Sequence, residues 1–172
     1  HLIDQSVVFF GLPKFITADL RKQCGGKAFD YFDLRLDYPS LKVNLKSSML
    51  VKIPDPVFLL NGINGAFQKF GLDIQEEDFS AGLTPHNKKN WGQEPIEHSG
   101  KLSLLVDGRD ITETIISPPG NFTKYYQNIY DALINNKPLL VDPKDAMNTI
   151  KIIEIAIESA NQVCTLPMEI IV

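Results

Sequence analysis

An imidazole and a carboxylate stand first among the residues that could do chemistry. His1 and Asp4 are spaced i and i+3, so on a helix through His1-Leu2-Ile3-Asp4-Gln5 both look into one cleft. A histidine at an exposed helix end is a candidate general acid/base near neutral pH, and a carboxylate one turn on could orient its ring. The plainer reading of such a histidine is a surface residue or the remnant of a tag. Trp91 carries the same two readings: an anchor packed on its domain, or the wall of a substrate pocket.

Other polar clusters read more simply. Asp30, Asp33 and Asp37 alternate with hydrophobic residues, the pattern of a solvated strand face rather than of a paired-carboxylate site. His86 and His98 read as loop surface residues, and with Cys24 and Cys164 far apart no metal-ligand spacing is present. No Gly-x-Ser-x-Gly elbow occurs, and the glycines around Gly62 and Gly65 do not follow the dinucleotide fingerprint. Asn121-Phe122-Thr123 matches a glycosylation sequon but reads as a helix cap.

With 172 residues and 44% hydrophobic content, the chain has material for one well-packed domain over 1–172. A net charge of −4 without a basic run argues against nucleic acid or an anionic membrane as partner. Separated cysteines, and the lack of a signal peptide in the sequence given, point to a reduced, cytoplasmic setting with both thiols serving structure. A chain that begins at His1, straight into an apolar helical pattern, is expected to be a piece of something longer.

The elements that must hold these residues follow from periodicity. Leu2, Ile3, Val7, Val8 and Phe10 give a helix ended by Gly11. Strict alternation predicts strands over Phe15–Lys22, Phe32–Tyr38 and Leu41–Lys46, the last running on through Met49 and Val51. Val57–Leu60 and Ala66–Phe70 are shorter strands joined by Asn61-Gly62-Ile63-Asn64-Gly65, residues that tolerate positive φ. Gln75–Gly100 has no sustained period beyond a helical turn at Glu76–Ala81, and so long an irregular stretch is usually functional or an interface. Leu102–Val106 and Ile111–Ile116 form a hairpin around Asp107-Gly108, extended by Arg109. After Pro118-Pro119-Gly120, Asn121 caps a helix with Phe122, Tyr125, Tyr126, Ile129, Tyr130 and Leu133 on one side. Asp142 and Pro143 then start a longer one, with Ala146, Ile150, Ile153, Ile157 and Ala160 at helical spacing and Ile152, Ile155 and Ala156 beside them. The fold class is α+β: a mostly antiparallel, open-faced sheet with helices packed on one face and a mixed polar face opposite.

Five segments, in this order and spacing, resemble the C-terminal, non-nucleotide-binding domain of the Gfo/Idh/MocA oxidoreductases. They are His1-Leu2-Ile3-Asp4-Gln5; Asn61 to Phe67 with Gly71 to Glu76; Trp91-Gly92-Gln93-Glu94-Pro95; Phe122 with Tyr125-Tyr126; and Asp145-Ala146 leading to Ile152-Ile153-Glu154. The resemblance implies an NAD- or NADP-dependent dehydrogenase of a sugar, inositol or related polyol, in which His1 matches the histidine that shuttles the hydroxyl proton. It also implies that the cofactor belongs to an N-terminal Rossmann domain absent from this chain, and that the isolated domain is inactive. The family's aspartate four residues before that histidine, and its Glu-Lys-Pro lysine, are absent from the sequence. Asp4 would orient His1, Trp91 would contact substrate or nicotinamide, and the open sheet face would join a homo-oligomer. The competing reading is a stand-alone, non-catalytic α+β binding or scaffold domain.

Overall fold

The computed structural model describes residues 1–168. They fall into two compact units, one built from residues 1–52 together with the chain from Leu139 onward, the other from Ile53–Pro138. The architecture is α+β and wholly antiparallel, with the strands divided between two four-stranded sheets where the alternation suggested one.

The first unit holds α1 (Leu2–Phe10), β1 (Phe15–Arg21), β2 (Tyr31–Asp37), β3 (Lys42–Ser48), α4 (Pro143–Gln162) and β8 (Leu166–Pro167), with strand order β3-β2-β1-β8. Register stacks like on like. Ile16 lies opposite Leu36 and Ala18 opposite Leu34, while Leu34 and Leu36 face Leu45 and Val43. One sheet face is therefore continuous hydrocarbon, and α1 and α4 pack on it. Ile16, Leu36 and Ile152 are fully buried there, each contributing about 2–3 kcal/mol of burial free energy. The opposite face is polar: Arg35 reaches Asp37 at 3.0 Å and the Thr17 hydroxyl at 3.2 Å, and Lys46 lies 4.0 Å from Asp33.

Helix α4 begins as its residues dictate, with the Asp142 carboxylate accepting the Lys144 N–H at 2.8 Å and Pro143 in the first turn. Its packed face differs from the stripe that spacing suggested. Ile152, Ile155, Ala156 and Ser159 are buried, whereas Ile150, Ile153 and Ile157 remain 56%, 39% and 37% exposed. Isoleucines occupy both lines, so periodicity alone does not choose between them.

Strand β3 stops at Ser48 instead of continuing through Met49 and Val51. The Ser48 hydroxyl accepts the Leu50 N–H at 3.1 Å and donates to Gln23 at 3.0 Å, turning the chain away from the sheet. Both cysteines are exposed free thiols, which corrects their expected structural role.

The second unit holds β4 (Phe58–Gly62), β5 (Gly65–Lys69), α2 (Gln75–Ser80), β6 (Gly100–Val106), β7 (Arg109–Ile115) and α3 (Thr123–Asn135), with strand order β4-β5-β6-β7. Asp107 and Gly108 both take positive φ, and Val106 pairs directly with Arg109. The turn is thus a two-residue one, and Arg109 belongs to the strand rather than extending the loop. None of Asn61 to Gly65 has positive φ, so the other hairpin turns without the conformation its residues would permit. The N-cap of α3 is Phe122, one residue later than the expected Asn121, whose side chain accepts from the Thr123 N–H at 3.0 Å just ahead of the helix. Yet no α3 residue is buried, and Tyr125, Tyr126, Tyr130 and Leu133 are all more than half exposed. The sheet coverage expected of two helices is met by α4 and α1, not by α3.

Candidate functional site

Within the irregular stretch, Gln75 is the side chain on which the rest converges. It opens α2 and is fully buried, a costly place for an amide unless each polar atom finds a partner. Its Oε1 accepts from Trp91 Nε1 and from the Phe122 backbone N–H, both at 2.9 Å. Its Nε2 donates to Asp73 Oδ2 at 2.8 Å, while Asp73 Oδ1 accepts the Gln75 backbone N–H at 2.9 Å. One amide therefore ties α2, the Trp91 loop and the start of α3 together.

Two glycines let these backbones approach. Gly120 N–H donates to Gly92 O at 2.8 Å, and Gly92 has φ 73. A Cβ on Gly92 would overlap the Gly120 carbonyl, and one on Gly120 would overlap the Asp73 carboxylate and the Gln75 amide. Two ion pairs pin the same stretch: Lys88 Nζ lies 2.6 Å from Asp78, and Lys69 Nζ 2.5 Å from Glu94 with a second bond to His98 O at 2.8 Å. Each pair is largely withdrawn from solvent, so removing one partner would strand the other charge.

The aromatic rings so fixed line a cavity of about 280 Å³. Its walls are Phe79, Trp91, Phe122, Tyr125 and Tyr126, with Pro85 and Thr123 completing it. Phe79 meets Trp91 edge-on at 4.8 Å between centroids and lies nearly parallel to Phe122 at 6.3 Å. Among the described residues no charged side chain lines it.

His1 belongs to the first unit. It is exposed, and with Leu2, Ile3, Phe29 and Phe32 it borders a largely apolar cavity of about 450 Å³ between α1, α4 and the sheet. Asp4 is also exposed one turn on. Among the described residues no hydrogen bond or ion pair joins Asp4 to His1; the contact that links the ends of that turn is Gln5 N–H to His1 O at 2.9 Å. His98, expected at the loop surface, is half-buried against Gly71, and its Nδ1 is shielded from solvent without a hydrogen-bond partner. His86 is exposed as expected. Sequence reasoning missed Gln75, whose partners lie 16 and 47 residues away and leave no local spacing to read.

Residues 1–168 match the family described as "Oxidoreductase family, C-terminal alpha/beta domain". The chain is 35% identical over 170 residues to the scyllo-inositol 2-dehydrogenase (NADP(+)) IolW of Bacillus subtilis, a match covering 98% of this chain and 47% of that protein. It is 34% identical over 167 residues to the uncharacterised oxidoreductase YdgJ of Escherichia coli, covering 96% of this chain and 47% of that protein. Among solved structures, yvaA from Bacillus subtilis superimposes with a TM-score of 0.93 at 34% identity, over 98% of this chain and 49% of that one. An oxidoreductase from Bacillus cereus does so with a TM-score of 0.89 at 31% identity, over 100% of this chain and 49% of that one. The chain spans about half the length of the curated relatives it matches. This chain belongs to the Gfo/Idh/MocA oxidoreductase family, as its C-terminal α/β domain.

Proposed function

We propose that this chain is the substrate side of an NAD- or NADP-dependent cytoplasmic dehydrogenase acting on the CH–OH group of a sugar, inositol or related polyol. The observation that carries the reading is the likeness, over 98% of the chain, to a protein named scyllo-inositol 2-dehydrogenase (NADP(+)). The locked aromatic wall at Trp91 supports it, because a cyclic polyol offers C–H faces to an indole ring.

His1 is the group assigned to the substrate hydroxyl, accepting its proton during oxidation and returning it in the reverse direction. Asp4 is its supporting carboxylate, and Trp91 holds the ring. A nicotinamide bound by the complete protein would supply hydride exchange at the carbinol carbon. The described residues do not fit a dinucleotide cradle, since Gly62 and Gly65 close a β-hairpin and no described strand leads through a glycine-rich turn into a helix. The cofactor is therefore assigned to a Rossmann domain outside this chain, and the 172 residues alone are expected to be inactive. Association through the polar sheet face into a homo-oligomer completes the proposal.

The test is turnover by the protein that joins this chain to its Rossmann domain, with scyllo-inositol, myo-inositol and glucose offered against NADP⁺ and NAD⁺. His1→Ala should lower kcat by about 10²–10⁴-fold with cofactor affinity unchanged. A wild-type protein that oxidises none of these polyols would sink the substrate assignment. A variant with undiminished kcat would remove His1 from the chemistry.

A further inference from the structure

The free edge of the second unit's sheet carries a residue pattern that complements itself. We propose that β7 pairs with β7 of a second copy of this chain, antiparallel about a two-fold axis, with Ile111 opposite Ile111 and Arg109 opposite Glu113. This edge belongs to the second unit and is distinct from the polar face of the first unit's sheet. Nothing in the pairing depends on the dehydrogenase chemistry.

Strand β7 is last in the order β4-β5-β6-β7, and every one of its residues is exposed. No proline interrupts Arg109–Ile115, so each outward backbone group is able to pair. Which groups face outward follows from the ladder. The two-residue turn hydrogen-bonds Val106 to Arg109, and bonded pairs then alternate, so Leu104–Ile111 and Leu102–Glu113 are bonded while Leu105–Asp110 and Ser103–Thr112 are not. Leu105 agrees, since its N–H turns away from β7 and donates to Asn64 O at 2.9 Å. The amides and carbonyls of Asp110, Thr112 and Thr114 therefore point off the edge.

A bonded register must match these three residues with one another, and the side chains choose among the registers that do. Centring the axis on Asp110 or on Glu113 sets like charges face to face. Centring it on Thr112 sets Arg109 against Ile115 and Glu113 against Ile111. Centring it on Ile111 bonds Asp110 to Thr112, brings the two Ile111 side chains together and places each Arg109 opposite a Glu113. Within one chain Arg109 and Glu113 lie four residues apart, about 13 Å along a strand, too far to meet. Among the described residues neither has an ion-pair partner; the pairs of this unit use Lys69, Lys88 and Lys137. The two-fold thus gives both charges the partners that a single copy lacks. Ile111, 40% exposed, would also carry the apolar row from Leu104 across the axis.

A single strand edge buries less than the roughly 1,200 Å² of a stable complex, so the dimer is expected to be weak and concentration-dependent. Sedimentation equilibrium of the 172-residue chain, from about 10 μM to about 1 mM, should show it. Glu113→Arg, at an exposed position that folding does not use, should raise the dissociation constant about ten- to a hundredfold. Arg109→Glu added to that variant should restore association, because the two charges have only changed places. Amide exchange reads the register: Asp110 and Thr112 should slow as concentration rises, while Thr114, which would face the turn at Gly108, stays fast. A chain monomeric at the highest of these concentrations, or a loss that Arg109→Glu does not rescue, would overturn the proposal. Association indifferent to Glu113→Arg would also overturn it, and is the result that pairing through the polar sheet face alone would give. Slowing of Thr114 together with Asp110 and Thr112 belongs to the Thr112-centred register and would overturn the one proposed. Protection of Asp110 and Thr112 at every concentration in the protein joined to its Rossmann domain would give the edge to that domain instead of a second copy.

Discussion

The Ser159 hydroxyl in α4 accepts the backbone N–H of Ala18 in β1 at 3.0 Å, across 141 residues of chain, and donates to the Cys164 carbonyl at 2.6 Å. Beyond Ile16, where its pairing with β8 ends, β1 has no strand on that side among the described residues, and a side chain from a helix supplies the acceptor for Ala18. Ser159→Ala should therefore strand a buried N–H and a carbonyl and cost about 1–3 kcal/mol. Urea unfolding should show the midpoint falling with an unchanged slope; a shift within error of zero would mean that water replaces the hydroxyl.

Gln75 makes the parallel case in the second unit. Gln75→Met keeps the volume but leaves Trp91 Nε1, the Phe122 N–H and Asp73 Oδ2 without their partner. The expected loss is about 2–4 kcal/mol, at the upper end for a single substitution. Trp91 emission should move to longer wavelength as the indole is released to water. An unaltered spectrum would show that the Phe79 contact alone holds the ring.

Val163 ends α4 in the left-handed region, with φ 53, where a β-branched residue is strained, and its side chain is 89% exposed. Val163→Gly relieves the strain with almost no packing to lose. It should raise stability by about 0.5–1 kcal/mol, read as a higher Tm. A lower Tm would place more weight on the unfolded chain's added freedom than on the strain.

Asp30 holds the turn before β2 by accepting the N–H groups of Gln23 and Cys24, both at 2.6 Å, and these bonds hold its carboxyl below the ordinary aspartate range. A depressed folded value gives stability that is present above the unfolded aspartate pKa and lost as pH falls through the folded one. The same carboxylate, hydrogen-bonded to the Cys24 thiol, holds that thiol above its ordinary range. Asp30→Asn should therefore flatten the acid limb of the Gln23 and Cys24 amide shifts. It should also make Cys24 alkylate faster near pH 8 while Cys164 is unchanged. Slower alkylation of Cys24 in the variant would contradict this.

Much of this architecture is legible in residue order. Alternation locates β1, β2 and both hairpins to within one or two residues, because a half-buried strand must alternate. Asp142-Pro143 and Asn121 mark helix starts for equally local reasons. What alternation does not contain is the division into two sheets or the two-residue strand Leu166–Pro167, which exists only through its pairing with Phe15 and Ile16. The choice of buried face on α4 also lies beyond it, because Ser159 decides that through Ala18. At the candidate site Trp91 is conspicuous by its type. Gln75 is not, since an amide between Ile74 and Glu76 has no periodicity to betray that two distant groups, the Trp91 indole and the Phe122 N–H, meet on it.

The first unit takes α1 and β1–β3 from before the second unit and α4 and β8 from after it, while the second is a single continuous stretch. On a ribosome this sets an order of events. Residues 53–138 can close their hairpins as they emerge, since β4 to β7 pair with neighbours in sequence. The β1–β3 hydrocarbon face must wait for α4, and the 141 residues between Ala18 and Ser159 correspond to roughly 7–30 s of synthesis at about 5–20 residues per second. During that interval Ile16, Leu34 and Leu36 lack the cover that Ile152 and Ile155 later supply. Within residues 1–168, exposure to chaperones is thus concentrated in β1–β3, and a truncation that removed α4 would leave those strands aggregation-prone while sparing the hairpins of the second unit.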